Sequence, residues 1–420
     1  MSRDRDIGLP LGTFEAASSS SNTMRILFLS NMQKVSGGEF FLERFLHELD
    51  KEFTFHVALP EGVFAERLRE NGFKIFINRE VGRLNREQGF MNPLYLKQLV
   101  NWVSETSKFV RTQNTDLIVA NSFGMALHAS LLSFMTRRKF MWFHLHPIMQ
   151  AGTKSGLIAR FLSFRSSGIA CCSKAVMTSL ISCGVPASKL LVTYTGVNTN
   201  IFDETSTLAK ISSPSDQEGS LLDLYSRLGR KIHLALICVL VPWKGHRYLI
   251  EAINQIPQEL KGTLSVDMLG GIINDSPPII AYKLELEGML IRYKLNDTVR
   301  FVNFKPDLKQ YYLDIDFLLS CSQEPEPMGN TIIEAMAYSK IAIVTNHGGP
   351  LELVDNDVTG FVVDHKDPQS LTNIIVEVCT KMRVSELILM QQKAREKAVS
   401  EFDIRETSRT LERRFHEVMS

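Results

Sequence analysis
Two glutamates separated by seven residues, Glu326 and Glu334, flank a glycine in the stretch 324–336, EPEPMGNTIIEAM. The strand-like run Phe317–Ser320 leads into it and helical spacing follows, so the stretch reads as strand, loop and helix start. Gly329 lets a ligand approach the backbone, Asn330 or Thr331 can cap, and the N–H groups of the first turn make an anion site. A carboxylate beside an anion is repulsive unless it accepts hydrogen bonds from hydroxyl groups. The ligand chemistry that suits both features is therefore a phosphate carried on a polyol, such as a sugar and a ribose. The plainer account is a capped helix whose first turn favours acids.

Three other places carry suitable side chains. Lys244 stands in V-P-W-K-G-H, where Pro242 and Gly245 shape a loop from which a lysine can reach a diphosphate; taken alone it is a solvent-facing loop cation. Ser36-Gly37-Gly38-Glu39 follows the first strand-like run and opens a helix, giving a second set of N–H groups for an anion. No G-x-G-x-x-G follows that strand, which argues against a nicotinamide-dependent dehydrogenase. In W-F-H-L-H-P, residues 142–147, alternation puts His144 and His146 on one side of a strand, but no third donor is near enough in sequence for a zinc site. Asp314-Ile315-Asp316 has a metal-binding spacing, yet it leads into a buried-looking strand, where one acid at the entrance is ordinary.

The elements that must position these residues follow from the apolar pattern. Runs at Arg25–Ser30, Thr54–Leu59, Lys74–Ile77, Leu117–Ala120, Phe140–Leu145, Gly168–Cys172 and Leu190–Tyr194 alternate with amphipathic segments of helix length. A second series has strands at Ile232–Val239, Leu264–Leu269, Val299–Asn303, Phe317–Ser320, Ile341–Val344 and Phe361–Val363. The pattern predicts an α/β protein with two doubly wound domains, consistent with 420 residues. The boundaries expected are an extension over 1–23, a first domain over 24–220 ending in a polar linker at 203–220, a second domain over 221–400, and a C-terminal helix over 401–420 that can cross back to the first. A net charge of +1 gives no global field for nucleic acid. Locally the charge is uneven: residues 117–202 hold eight Lys and Arg but no Asp or Glu, a surface suited to a phosphorylated ligand or an anionic membrane. The six cysteines lack paired spacing and read as reduced thiols in a cytoplasmic protein. No apolar run approaches the roughly 20 residues of a membrane span.

The pairing of Glu326 and Glu334, with VPWKGHRYLIEAI upstream and AMAYSKIAIVTNHGGPLELVDNDVTGFVVD downstream, resembles the E-x7-E signature of the retaining family-four glycosyltransferases, or glycosyl transferases group 1. The likeness runs from Met24 to the C-terminal helices and implies the GT-B fold, two Rossmann-like domains facing a cleft. It implies that Glu326 contacts the transferred sugar and Glu334 the nucleotide ribose, while Met328, Gly329, Asn330 and Thr331 hold sugar and diphosphate. Lys244, Gly37 and Gly38 would meet the diphosphate, and His146 the donor sugar, with His144, Val239 and Gly270 as further candidates. Two departures stand out: Val239 occupies the place of an arginine usual in the family, and Pro147 follows His146 where an acid is common. The expected activity is transfer of a sugar from a nucleoside diphosphate sugar to an acceptor hydroxyl, in polysaccharide or glycolipid synthesis. It would proceed without metal or cofactor, on a saccharide or lipid-linked acceptor, with peripheral contact at the inner face of the membrane. A non-catalytic nucleotide-sugar-binding subunit and a sugar-nucleotide epimerase of the same fold are the rival readings.

Overall fold
A computed structural model describes residues 23–33, 37–78, 93–145, 148–199, 207–271, 276–303 and 308–420. The first sheet contains β1 (Met24–Leu29), β2 (Phe53–Leu59), β3 (Ile75–Ile77), β4 (Leu117–Ala120), β5 (Lys139–His144), β6 (Gly168–Cys171) and β7 (Leu190–Val192). The second contains β8 (Ile232–Ile237), β9 (Leu264–Leu269), β10 (Val299–Val302), β11 (Phe317–Ser320), β12 (Ile341–Thr345) and β13 (Gly360–Val363). Every pairing is parallel, so both faces must be covered by helices. That is why LIVA of β4 is apolar throughout, IAIVT of β12 is apolar up to its final threonine, and both are fully buried.

The strand orders are β3-β2-β1-β4-β5-β6-β7 and β10-β9-β8-β11-β12-β13. Each order reverses once, between β1 and β4 in the first sheet and between β8 and β11 in the second. Loops that leave those strands at their C-terminal ends splay apart and open a crevice there. Gly37 and Gly38 follow β1, Lys244 follows β8 and Glu326 follows β11, so the topology gathers the residues singled out by sequence at the two switch points.

The part of the expected linker over 207–220 contains short helices. Its helix Thr207–Ile211 buries Leu208 in the second domain, and Ser220 and Asp223 close a capping box on the helix Leu221–Arg227. Its polar, turn-rich composition made this segment read as a linker. At the other end, the chain returns to the first domain after the helix Val384–Glu401. The Val197 N–H donates to the Phe402 carbonyl and the Ile404 N–H to the Val197 carbonyl, both at 2.9 Å, so the outgoing and returning passages lie side by side. Asp403 accepts from Thr199 and from Arg405, and the Thr407 hydroxyl donates to the Tyr194 carbonyl at 2.8 Å.

The last helix, Ile404–Met419, then packs on the first sheet. Phe415 is fully buried with its ring centroid 6.5, 6.2 and 6.1 Å from those of Phe28, Phe45 and Phe53. Truncating such a side chain removes buried area and leaves a cavity. Phe415→Ala should therefore lower the unfolding free energy of the first domain by about 3–5 kcal/mol, read by denaturant titration. A change within the scatter of a surface substitution would show that the helix is a dispensable appendage.

Candidate functional site
Between the two sheets lies a cleft of about 330 Å³. Its first-domain wall is Gly37, Gly38, Leu145, Cys172 and Thr195, and its second-domain wall includes Val239, Trp243, Lys244, Ser322, Glu326, Met328, Gly329, Asn330 and Thr331. Sequence reasoning placed most of these residues in one site, and the fold brings them into one cavity.

The central pair was not foreseen. The Lys244 ammonium bonds directly to the Glu326 carboxylate, whose Oε2 also accepts from the Ser322 hydroxyl at 2.8 Å. Both side chains are largely buried, at 17% and 10% exposure, so each charge depends on the other for compensation. The ammonium also lies 4.2 Å from the centroid of the Trp243 ring, a cation–π contact that holds the stem of the lysine.

Backbone packing makes this meeting possible. Gly245 has φ +79°, and a Cβ on it would fall 1.8 Å from the Cys321 carbonyl oxygen. The loops after β8 and β11 thus touch main chain to main chain. On the opposite side, the Gly349 N–H donates to the Glu326 carbonyl at 2.7 Å and Gly348 forms a bridge with Glu326, where a Cβ would fall 2.3 Å from that same oxygen.

Two helix starts face each other across the cleft. The helix Gly37–Glu48 begins on the first-domain wall and the helix Asn330–Ala337 on the second, with Gly329 at φ +109° turning the chain into it. Asn330 spans the gap: its carbonyl accepts from the Thr195 hydroxyl and its amide nitrogen lies 3.5 Å from the Gly37 carbonyl. Each helix start carries partial positive charge, and Lys244 adds a full one. One carboxylate stands among these three positive groups, so the cleft suits an anion that also presents hydroxyls.

Glu334 is not among the residues lining the cleft. One turn into its helix, its carboxylate pairs with Arg44 of the first domain and accepts from the Tyr312 hydroxyl at 2.7 Å. Glu326 lies on the loop before this helix, whereas Glu334 lies inside it, and the arginine opposite takes its carboxylate up. His144 is also away from the cleft: it is fully buried, accepts from the Trp142 indole at 3.3 Å and meets the edge of Phe123. His146 lies outside the described residues. Gly270 ends β9 and serves packing, since a Cβ there would fall 1.7 Å from the Cys238 carbonyl oxygen. Asp316 is buried with its oxygens on the Tyr225 hydroxyl and the His233 N–H, while Asp314 accepts from Gln310. Arg44, Thr195, Ser322 and Trp243 were missed because each acts across a tertiary contact with no local motif; only Trp243, beside Lys244, carried a signal.

His246 anchors the lysine loop from below. It is buried, with Nε2 3.7 Å from the Cys238 sulfur, and burial pushes its pKa down to about 4. The unfolded chain takes up a proton near the ordinary value of about 6.5, whereas the folded chain refuses it until about 4. Stability from this group is thus complete above pH 6.5 and falls as pH drops through that window, by about 3 kcal/mol at the limit. His246→Gln should flatten that part of the stability profile in urea titrations from pH 7 to pH 4; an unchanged slope would assign the acid sensitivity elsewhere.

Comparison with known proteins agrees with this geometry. Residues 229–396 match the family model described as glycosyl transferases group 1. The chain is 32% identical over 139 residues to the putative glycosyltransferase YtcC of Bacillus subtilis, covering 32% of this chain and 33% of that protein. It is 25% identical over 234 residues to the amylovoran biosynthesis glycosyltransferase AmsK of Erwinia amylovora, covering 53% and 50%. The matched stretches thus span a third to a half of these curated relatives. Among solved structures, Anabaena HepE in complex with UDP and glucose superposes with a TM-score of 0.77 at 25% identity, covering 94% of this chain and 100% of that one. Sucrose-phosphate synthase from Thermosynechococcus elongatus shares the fold, with a TM-score of 0.71 at 15% identity over 94% and 99% of the two chains. Residues 229–396 thus carry the likeness to the group 1 glycosyltransferases, and the chain has the GT-B fold of the structures on which it superposes.

Proposed function
We propose that this protein is a retaining glycosyltransferase that moves a sugar from a nucleoside diphosphate sugar to an acceptor hydroxyl in the assembly of a polysaccharide or glycolipid, working as a peripheral membrane protein. The observation that carries this reading is the convergence of two helix starts and Lys244 on a cleft whose buried carboxylate is Glu326. The relatives acting in polysaccharide synthesis and the UDP and glucose of the HepE complex make uridine diphosphate sugars the first donors to test.

In this reading the bond from the anomeric carbon to the diphosphate oxygen breaks, leaving negative charge on the diphosphate and positive charge on the sugar. The N–H groups at Gly37 and Gly38, those at Asn330 and Thr331, and the Lys244 ammonium take up the first charge; these fixed dipoles need no rearrangement when it develops. The acceptor oxygen attacks the same face of the sugar and gives its proton to the departing phosphate oxygen, so the anomeric configuration is kept and no separate base is required. Glu326 turns from Lys244 to the sugar hydroxyls, and Lys244 turns to the phosphate. Glu334, released from Arg44, would meet the ribose. Metal is unnecessary in this scheme, because the helix starts and the lysine supply the positive charge.

Purified protein mixed with uridine diphosphate sugars, assayed for hydrolysis or transfer, tests the reading. Glu326→Gln should abolish turnover while leaving nucleoside diphosphate affinity nearly intact; wild-type turnover in that variant would remove Glu326 from the chemistry. Lys244→Ala should weaken nucleoside diphosphate binding by about 10- to 150-fold, the value of one charge-assisted hydrogen bond. Val239 lines the cleft and is only half-buried, so Val239→Arg should tighten that binding by restoring a second cation. Calorimetric titration with melting controls reads both, and a folded Lys244→Ala protein with unchanged affinity would refute the phosphate assignment.

A further inference from the structure
The outer face of the first domain exposes apolar side chains in an arrangement that the cleft does not explain. On the helix Lys154–Arg165, sequence KSGLIARFLSFR, Leu157, Phe161 and Phe164 are 59%, 62% and 65% exposed, and Ile158 adjoins them. These positions recur at helical spacing, so they form one stripe, although Ala159 and Leu162 on the opposite side are fully buried. On the neighbouring helix Phe123–Thr136, Phe134 is 66% exposed and Met135 and Leu131 lie beside it. The Arg165 guanidinium sits 5.3 Å from the centroid of the Phe134 ring and joins the two stripes into one surface. Both helices are thus apolar on the face turned to water as well as on the face turned to the sheet. A patch of this kind on one face marks an interaction site.

Charge identifies the partner. All 46 acids of the chain lie outside residues 117–202, which supply both helices. Arg137, Lys154, Arg160 and Arg165 are exposed at or beside the stripe, and Arg111 reaches in from the helix Pro93–Thr112 to bond the Met135 carbonyl at 3.0 Å. Two other bases of the stretch have structural work instead: Lys139 donates to the Val418 carbonyl at 2.6 Å and Lys189 to the Ser166 carbonyl at 2.5 Å, each at a helix end. Long cationic stems around exposed phenylalanines suit a boundary where rings enter the acyl region and charges remain with phosphate headgroups. A second copy of the chain fits poorly, because a two-fold contact would set these two helices, which carry bases and no acid, against themselves.

We infer that the stripe Leu157–Ile158–Phe161–Phe164, with Phe134 and its surrounding arginines, is the surface by which this protein docks on an anionic phospholipid leaflet. It rests on the peripheral-membrane part of the function proposed above and names the surface responsible. The helix that carries the stripe follows the loop leaving β5, the same strand end that sends Leu145 into the cleft wall, so docking would set the cleft beside the leaflet.

The test is sedimentation of the full chain with phosphatidylcholine vesicles and with vesicles of equal parts phosphatidylcholine and phosphatidylglycerol, at low and high salt. Binding to the anionic vesicles alone, weakened by salt, is expected. Phe161→Ser with Phe164→Ser should reduce partitioning at least about ten-fold. Arg160→Gln with Arg165→Gln should reduce it about five-fold per charge. All four positions are exposed, so melting temperature and calorimetric UDP affinity should stay at wild-type values in both variants. Absence of wild-type binding to either vesicle, equal binding to neutral vesicles, or undiminished binding of the phenylalanine variant would overturn the assignment. A salt-resistant dimer that dissociates in the phenylalanine variant would transfer the surface to a second copy. UDP binding on the same samples separates these failures from failure of the transferase reading, since intact nucleotide affinity without vesicle binding rejects only the docking surface.

Discussion
The contact of main chain with main chain at the C-terminal ends of the second sheet is the constraint on which the site depends. Two charges as costly to bury as those of Lys244 and Glu326 persist only when their separation is fixed, and side-chain packing alone would not fix it. The Cys321 carbonyl pressed against Gly245 sets the distance between the loops after β8 and β11, while Gly348 and Gly349 clamp Glu326 from the β12 side. A methyl group at either place would push the loops apart and leave both charges desolvated and unpaired, a far larger penalty than loss of an exposed ion pair.

The same economy appears where the domains meet. Helix starts and carboxylates are matched across the boundary: Asn330 joins Thr195 and Gly37, Arg44 joins Glu334, and the Glu352 carboxylate accepts the N–H groups of Lys174 and Ala175 at 2.8 Å each. Glu352 therefore does for the helix Lys174–Ser182 what an incoming anion would do for the two helix starts in the cleft. These polar contacts can exchange partners without opening cavities, as a packed apolar boundary could not. That suits an interface which must admit a ligand.

The thirteen strands among the described residues were legible because a parallel sheet buried on both faces demands short, continuous apolar runs, and each observed strand end lies within two residues of its expected place. The cleft residues at Gly37, Lys244, Glu326 and Gly329–Thr331 were legible because helix starts and loop glycines leave local signatures. The partner of Glu334 was not legible for the converse reason. Its bonding partner Arg44 is 290 positions away in the chain, and no local pattern announces that contact. The segment 207–220 shows a related limit: its composition is polar, but Leu208 is enough to seat it on the second core. The apolar stripe on Lys154–Arg165 was hidden because buried and exposed apolar positions interleave along KSGLIARFLSFR, and only the packing of Ala159 and Leu162 tells them apart.

The chain passes between the domains near Val197 and again near Phe402, and the two passages are bonded to each other. A Cβ on Gly196 would fall 2.6 Å from the Ile404 Cα, so they cannot slide closer or twist independently. Two bodies joined along one such seam retain one easy motion, rotation about an axis through it. Displacement then grows with the length of the lever arm. Thr195, adjoining the seam, sweeps the shortest arc and can keep its grip on Asn330 while contacts farther from the axis part. The protein would thus widen its cleft as a wedge, keeping one edge registered, and return to the same alignment each time it closes.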